Sequence, residues 1–315
     1  MRKRATVAAV SGALALSAFA IPGAHAADAG SGSHSTYRAD VAKVLDAARA
    51  ADSGKSAFST SAAAEPQPYA LDVTFSNLKV NKGKTIVVGA NSHVTVPVTY
   101  TLTHAADVNI AAADFLNGPY IYKGEFGKAD NELYGDDPGT CSATSSTTAS
   151  CVADIDIYAN EGYLINSDAG TWHAAGLAIA YNGQNPASPT FDITKVGLAD
   201  QGGFTSPKVQ RTSKLTVNAA PEPVKKGKTI TVTGKLTRAD WETNKYAGVS
   251  SQSVTLQFRK AGTTTYTNVK GIKSTSGGAL KTTVKASVDG YYRFTYAGIS
   301  TTAGSSAAGD YVDVN

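Results

Sequence analysis

The residues best suited to bind a ligand lie in one acidic stretch, which reads "YIYKGEFGKADNELYGDDPGTC" from Tyr120 to Cys141. Calcium takes about six to eight oxygen ligands, and an acidic loop that contains glycine can supply them. The spacing is not that of an EF-hand, so two interpretations stay open, a calcium site and a solvated acidic loop. The calcium hypothesis assigns four carboxylates as ligands: Asp130, Glu132, Asp136 and Asp137.

Four aromatic residues in polar, loop-like segments are candidates for ligand stacking. Tyr120 and Tyr122 lie in the acidic stretch, and Trp241 and Tyr246 lie in "RADWETNKY". Exposed aromatic rings can stack on sugars or anchor a protein partner. Aromatic side chains also fill the cores of β-sandwiches, and this packing role is the alternative interpretation.

The sequence carries none of the common catalytic motifs. It has no G-x-S-x-G elbow, P-loop or dinucleotide fingerprint, and no two histidines show the i, i+4 spacing of a helical zinc site. The histidines after the N-terminal segment are His34, His93, His104 and His173. We therefore predict a protein that is not an enzyme and has no cofactor apart from the calcium alternative. A secreted hydrolase or its accessory protein is the remaining enzymatic hypothesis.

The only two cysteines, Cys141 and Cys151, flank "SATSSTTAS", a small and polar segment suited to a hairpin loop. In an oxidising compartment this spacing predicts a disulfide. Closing so short a loop contributes only about 2.5–3 kcal/mol by the chain-entropy model, so the bond is a local constraint.

The N-terminal residues predict secretion. Arg2, Lys3 and Arg4 precede an apolar run, and Ala24-His25-Ala26 offers the small-x-small pattern of a signal-peptidase site, so residues 1–26 are interpreted as a signal peptide. A membrane span needs about 20 apolar residues, and neither this run nor any later one is long and apolar enough. The predicted location is extracellular.

The charge is distributed unevenly along the chain. Residues 27–218 contain 13 Lys/Arg and 19 Asp/Glu, a net charge of −6, whereas residues 219–315 contain 13 and 6, a net charge of +7. A change of sign between halves indicates two modules with different surfaces. The basic residues are dispersed and the protein is predicted to be exported, so nucleic acid is not an expected partner.

From Tyr69 onward the sequence consists of short runs rich in β-branched residues, separated by Gly, Asn and Asp. This pattern predicts β-sandwiches. One such run, "CVADIDIYA", places Asp154 and Asp156 on a strand face that we expect to be exposed. Before these runs, residues 27–66 are rich in Ala and Ser and form a predicted flexible leader. Within it, Val41, Val44 and Leu45 have helical spacing, which predicts a marginal helix.

A repeated phrase indicates two domains of one kind. "VNKGKTIVVGA" at 80–90 returns as "VKKGKTITVTG" at 224–234. In each copy, Gly83 or Gly227 supplies the left-handed backbone of a turn. We interpret each phrase as the first edge hairpin of a sandwich, with its lysines as solvated charges at a sheet edge.

A second pair of motifs indicates which sandwich this is. "DAGTWHA", with Asp168 and Trp172, and "DGYYRF", with Asp289 and Tyr292, resemble the D-x-G-x-Y-x-C turn into the penultimate strand of immunoglobulin-like folds. We therefore predict an all-β protein of two tandem Ig-like β-sandwiches after the signal peptide and leader. The predicted domains are 67–217, with an acidic and aromatic insertion at about 117–149, and 218–315, with the Pro221 and Pro223 segment as connector.

The phrases "KKGKTITVTGKLT", "QSVTLQFRKAG" and "DGYYRFTYAG" closely resemble bacterial Ig-like modules. The whole chain is similar to uncharacterised secreted proteins of high-GC Gram-positive bacteria, some of them labelled calcium-binding. This resemblance implies structural motifs and no catalytic residues. The expected role is extracellular binding, adhesion or cell-envelope association, with a cell-wall polymer or an extracellular protein or glycan as partner. Extracellular calcium binding is the alternative.

Overall fold

The structure is a computed structural model that describes residues 36–53 and 66–315. The predicted signal peptide and much of the leader lie outside the described residues. No helix in the described part is both long and apolar enough to cross a lipid bilayer.

Strands make up most of the described chain, with one α-helix, α1, at Thr36–Ser53. Within the described ranges, five short 3-10 helices lie at Asn81–Gly83, Ala159–Glu161, Asn166–Asp168, Ile193–Lys195 and Ser276–Gly278. Twelve strands form the first sandwich: β1 Tyr69–Ala70, β2 Val73–Val80, β3 Ile86–Val88, β4 His93–His104, β5 Phe115–Glu125, β6 Lys128–Tyr134, β7 Thr140–Ala143, β8 Thr148–Tyr158, β9 Gly170–Thr171, β10 His173–Ala180, β11 Gly197–Phe204 and β12 Lys208–Arg211. Ten form the second: β13 Ser213–Leu215, β14 Asn218–Ala220, β15 Thr229–Asp240, β16 Lys245–Gly248, β17 Ser253–Lys260, β18 Thr267–Lys273, β19 Ala279–Lys285, β20 Gly290–Tyr296, β21 Ser305–Ser306 and β22 Asp310–Val312.

The first sandwich, domain one, packs two main sheets face to face. One has the order β2-β4-β8-β7 and the other β1-β11-β10-β5-β6, while β3, β12 and β9 form a small third sheet. Phe75, Tyr100, Ile121 and Ile155 are among the buried side chains of its core. Their alternation with exposed residues follows from the period of two that strands impose.

The second sandwich, domain two, has a core of its own. In one sheet β13, β14, β16 and β19 all pair with β15, and in the other β18, β17 and β20 are neighbours, with β21 and β22 both on β20. Ile230, Leu256, Tyr292 and Phe294 are buried between these sheets.

The strand order identifies the fold. In domain one the first, second, fourth and fifth main strands (β2, β4, β7, β8) share a sheet, and the third, sixth and seventh (β5, β10, β11) share the other. Domain two likewise separates β13, β14, β15 and β19 from β17, β20 and β22. In domain one these are the A-B-E-D and C-F-G groups of the immunoglobulin fold, and domain two makes the same separation of A, B and E from C, F and G. The prediction of two tandem Ig-like β-sandwiches is confirmed.

Both Asp/Gly motifs lead into the strands that correspond to the penultimate strand of the Ig fold, β10 and β20, as predicted. Trp172 is fully buried just before β10, and its indole Nε1 donates to the Asp168 carbonyl oxygen at 2.7 Å. In domain two Asp289 precedes β20 and its carboxylate accepts from the Val314 amide at 2.8 Å, which ties the turn to the last residues of the chain.

The boundary between the domains differs from the predicted one at 218. Ser213 already pairs with Arg238 of β15, and Asn218–Ala220 pair with the same strand further along. Pro221 and Pro223 therefore lie inside domain two, and the chain crosses between domains near Arg211. The sequence pattern could not place this boundary, because β13 and β14 have only three residues each and show no clear alternation of apolar and polar residues.

The repeated phrase forms a turn with a left-handed glycine in both places, but the surroundings of the two turns differ. Gly83 has φ +76° and Gly227 has φ +80°, so both supply the predicted left-handed backbone. In domain one the strand after the turn, β3, pairs in parallel with β12 in the small sheet, so the predicted edge hairpin is wrong there. In domain two the strand after the turn is β15, which pairs with β14.

The leader helix is docked on domain one, although we predicted a marginal helix in a flexible leader. Val41, Val44 and Leu45 are at most 1% exposed. They pack on the outer face of the β5–β10–β11 sheet, against buried residues that include Tyr120, Leu177, Ile179, Tyr181 and Val196. The helix has few large side chains of its own, and its partner is the apolar sheet face.

The predicted disulfide is present. Cys141 and Cys151 face each other directly in the β7–β8 ladder and form a bond with an S–S distance of 2.02 Å. The residues between them form the expected hairpin loop.

Candidate binding surface

The acidic stretch is built into the sheet and serves as the anchor for α1. The predicted insertion at 117–149 contains most of β5, all of β6 and β7, and the start of β8, so it is regular structure of the sandwich. Glu132 on β6 receives two hydrogen bonds from Arg49 of the helix, from Nη2 at 2.6 Å and Nη1 at 3.1 Å. The Tyr134 hydroxyl donates to the same carboxylate at 2.7 Å. Glu132 is therefore engaged by protein donors.

Arg38 anchors the other end of the helix. Its Nη2 lies 2.9 Å from Asp136 Oδ1 and donates to the carbonyl oxygens of Tyr134 and Asp156, each at 2.9 Å. Its Nε donates to the Gly135 carbonyl oxygen at 3.1 Å. Such bidentate and charge-assisted contacts suit the planar guanidinium, which presents five N–H donors.

The structure does not gather the four predicted calcium ligands into one site. Asp130 and Asp137 are exposed, whereas Glu132 and Asp136 hold the two helix arginines. In the described ranges no group of three or more His, Cys, Asp or Glu side chains is arranged to hold a metal ion. Calcium binding stays a prediction from the sequence, and the structure gives no reason to prefer these four ligands.

The two tyrosines predicted to stack on a ligand are buried. Tyr120 is 0% and Tyr122 is 5% exposed, because α1 and the β5–β6 turn cover them. The ring of Tyr120 stacks on Tyr134 with centroids 5.0 Å apart, and its hydroxyl donates to Asp200 Oδ1 at 2.7 Å. The structure places both in packing, the alternative that the sequence left open.

Asp200 gives the fold a testable pH dependence. Burial raises the pKa of its carboxyl to about 6, against the hydrogen bond from Tyr120 and the charge of Arg49, which lower it. The folded state therefore holds a proton that the unfolded state has lost between about pH 4 and pH 6, and the free energy of unfolding falls as pH rises through that window.

We expect Asp200→Asn to remove this pH dependence, because asparagine does not titrate. The hydrogen bond should persist, since the side-chain amide oxygen of asparagine can still accept from Tyr120. Relative to the unsubstituted chain, the variant should gain on the order of 2 kcal/mol of stability between pH 4 and pH 7. Urea unfolding at several pH values measures this gain. Asp107→Asn, an exposed carboxylate in the same domain, is the control, and an equal pH dependence for both variants would refute the assignment.

Trp241, another predicted stacking residue, joins the two domains. It follows β15 of domain two, yet its side chain is 1% exposed and belongs to the core of domain one. The indole Nε1 donates to the Gly89 carbonyl oxygen at 3.1 Å. Tyr246 lies partly buried beside it, with the Lys214 ammonium 3.7 Å above its ring. Neither ring is presented as an open stacking platform.

Asn166 of domain one connects the polar groups around Trp241. Its Nδ2 donates to Asp240 Oδ1 at 3.1 Å and Glu242 Oε2 at 2.9 Å, and its Oδ1 accepts from the Trp241 amide at 3.2 Å. The same oxygen accepts from Arg211 Nη1 at 2.6 Å, where the chain crosses between domains. An apolar anchor surrounded by a bonded polar rim is the arrangement of a stable interface.

The only histidine that meets a carboxylate within hydrogen-bonding distance in the described part is His93. Its Nε2 lies 2.8 Å from Asp156 Oδ1 and 3.3 Å from Thr95 Oγ1. In a catalytic triad the nucleophile's hydroxyl and the carboxylate contact different nitrogens of the imidazole ring. In His93 both contacts are to Nε2, so the arrangement is not that of a triad. His104 contacts the Ala105 carbonyl oxygen, and His173 contacts Ser206; His34 lies outside the described residues.

The strongest candidate for binding was not singled out from the sequence. On the outer face of the β17–β20–β22 sheet of domain two, three tyrosines and two arginines form what we call the Tyr–Arg surface. The Arg293 guanidinium lies 3.7 Å from the Tyr266 ring centre, and that of Arg259 lies 4.0 Å from Tyr291. Tyr311, 40% exposed, packs beside Tyr291 with centroids 5.1 Å apart.

Neither arginine of the Tyr–Arg surface pairs with a carboxylate of the described residues. Among the described residues, no ion pair involves Arg259 or Arg293. Arg293 donates Nε to Gln257 Oε1 at 2.9 Å, and Arg259 donates Nη1 to the Thr263 carbonyl oxygen. Stacking on tyrosine holds each guanidinium flat and leaves edge donors available. The sequence signal was the alternation of Tyr291 and Arg293 on one face of "DGYYRF".

Gly309 shapes this surface. A methyl group at this position would overlap the Tyr266 hydroxyl and come within 3.1 Å of Tyr291 Cβ. Because Gly309 has no side chain, the Tyr266 ring can pack between the Arg259 and Arg293 side chains.

Comparison with known proteins gives no family. No family model matches the chain, and no curated protein matches it. Among solved structures the chain is similar to the Yersinia pseudotuberculosis adhesin InvE, at 12% identity over 78% of this chain and 60% of that one, with a TM-score of 0.23. It therefore spans about 60% of the length of that adhesin.

Two further similarities have the same strength. The D0-D1 domain of Intimin is 13% identical over 76% of this chain and 98% of that one, with a TM-score of 0.23. A C-terminal fragment of the major pilin of Streptococcus agalactiae is 10% identical over 76% and 91%, again with a TM-score of 0.23. Scores this low carry no inference about function, and the Ig-like assignment depends on the strand order described above.

Proposed function

We propose that this chain is a non-enzymatic extracellular binding protein that associates with the cell envelope through the Tyr–Arg surface of domain two. The observation that carries the proposal is a pair of tyrosine-stacked guanidiniums, Arg259 and Arg293, that have no carboxylate partner in the described structure. The disulfide and the predicted signal peptide support an extracellular location.

The chemistry of the surface favours carboxylate groups as ligands. A planar guanidinium offers paired N–H donors that match a carboxylate in bidentate geometry. Tyr and Arg are also enriched among the residues that dominate binding energy. Domain two carries a net charge of +7 over residues 219–315, which attracts an anionic polymer from a distance. We propose a cell-wall glycan that carries carboxylates as the partner.

The expected result is that the mature protein co-sediments with purified cell walls and that Arg259→Ala/Arg293→Ala largely abolishes this. Truncating a central arginine costs about 2 kcal/mol or more, so the apparent Kd should rise by roughly 30-fold or more. Added salt should weaken binding because both arginines are partly exposed to solvent. Gly309→Ala should weaken binding less, since it displaces Tyr266 and keeps both arginines.

The matched control is Lys281→Ala/Lys285→Ala. Both lysines are exposed on β19, in the other sheet of the same domain, so this variant loses the same two charges away from the Tyr–Arg surface. If it loses cell-wall binding to the same extent, net charge explains the association and the proposed site is wrong. If the unsubstituted protein does not sediment with cell walls, the proposed function is wrong.

A further inference from the structure

A second basic feature lies on domain one, although that half of the chain is acidic. A groove of about 630 Å³ lies beside the 3-10 turn Asn81–Gly83 and the segment between β11 and β12. Three lysines line it, Lys79, Lys84 and Lys208, and none of the described residues that line it is Asp or Glu. We call it the lysine groove. Its volume falls within the range of about 300–1,000 Å³ that is usual for small-ligand sites.

Hydroxyl groups accompany the lysines in the groove. Thr85, Thr205 and Ser206 are exposed lining residues that can donate hydrogen bonds. Ammonium groups act as point charges and are common phosphate binders, whereas arginine is favoured where a planar carboxylate or phosphate is held in bidentate geometry. The lysine groove contains no arginine among its described lining residues, so its chemistry differs from that of the Tyr–Arg surface.

The turn beside the groove has left-handed backbone at two residues that are not glycine. Asn81, Lys82 and Gly83 are consecutive left-handed residues, with φ of 49°, 53° and 76°. The Asn81 side chain holds the turn, because its Nδ2 donates to the carbonyl oxygens of Lys84 and Thr85, each at 3.1 Å. A lysine in this conformation is uncommon, and such residues persist where the surrounding structure over-determines them. The turn fixes the backbone from which the Lys84 side chain reaches the groove.

We propose that the lysine groove binds a short phosphate-bearing oligomer, such as a segment of a phosphodiester polymer. The class follows from three ammonium groups, hydroxyl donors and the lack of any acidic side chain in the described lining. This site is separate from the Tyr–Arg surface and does not depend on the proposed function.

The test is calorimetric titration of the full mature chain with a short linear polyphosphate and with a glycerol-phosphate oligomer. We expect both to bind, and we expect Lys84→Ala and Lys208→Ala each to weaken binding by roughly tenfold or more, since each removes one charge-assisted contact to phosphate. Thermal unfolding of each variant checks that the fold is intact. Arg259→Ala/Arg293→Ala should bind polyphosphate as the unsubstituted chain does, which separates this site from the Tyr–Arg surface.

Lys82→Asn is the matched control. Lys82 belongs to the same turn but does not line the groove, and asparagine tolerates the left-handed conformation. If Lys82→Asn weakens binding as much as Lys84→Ala, net charge explains the affinity and the groove is not the site. Tighter binding of an oligogalacturonate than of either phosphate oligomer would overturn the ligand class, and no binding of polyphosphate would overturn the proposal.

Discussion

Trp241→Ala is expected to lower the free energy of unfolding by about 3–5 kcal/mol, the usual cost of removing a buried tryptophan. The side chain is 1% exposed and fills the core of domain one from a loop of domain two, so its loss weakens the contact between the domains as well as the core. We expect the unsubstituted chain to unfold in one calorimetric transition and the variant to unfold in two.

Trp241→Phe is the milder comparison. It keeps an aromatic ring in the core but loses part of the ring volume and the bond from Nε1 to the Gly89 carbonyl oxygen, which together should cost about 1–3 kcal/mol and leave a single transition. If Trp241→Ala also unfolds in one transition at nearly the original temperature, the interface does not depend on this side chain.

Leu45→Ala is expected to release α1 from the sheet and to cost about 2–5 kcal/mol of docking free energy. Leu45 is 1% exposed and has few large apolar neighbours on the helix to compensate for its loss. Because the two sandwich cores remain intact, the effect should appear as rapid amide hydrogen exchange confined to residues 36–53.

Asp46→Ala provides the comparison for this helix. Asp46 is adjacent in sequence but exposed to solvent, so its removal should leave exchange in the helix unchanged. A fall in the global unfolding temperature after Leu45→Ala, with exchange in the helix unaltered, would mean that the helix is not a separate cooperative unit.

The sheets and the disulfide were predictable because they depend on local patterns. Alternation of apolar residues along a strand reports its buried face, and two cysteines around a small polar loop report a hairpin. The left-handed turns at Gly83 and Gly227 were likewise visible, since glycine between lysines has a direct conformational meaning.

The burial of individual side chains could not be predicted where it depends on contacts between distant parts of the chain. Asp154 and Asp156 share one strand face, and the sequence treats them alike, yet Asp154 is exposed and Asp156 is 7% exposed. The difference arises because two separate parts of the chain cover Asp156. Arg38 of α1 donates to its carbonyl oxygen, and the backbone amide of Asp136 donates to its carboxylate. Trp241 illustrates the same point, because no local pattern tells which domain a loop aromatic will enter.

The candidate sites were predictable only in part. A net positive charge in domain two was visible from composition, but the Tyr–Arg surface needs β17, β20, β22 and the loop that carries Tyr266 to meet. Burial of Tyr120 and Tyr122 follows from the docking of α1, and the helix pattern alone did not predict what it would cover.

The docked helix is synthesised before the strands to which it binds. Arg49 binds a partner 83 residues later in the chain, and Arg38 binds partners 96 to 118 residues later. A chain that is made from its amino end therefore produces the helix well before the sheet that receives it. When β10 pairs with β5, the cover for their apolar outer face is already present on the same chain. The apolar outer face of this sheet is therefore covered by a helix that the same chain makes before the sheet itself.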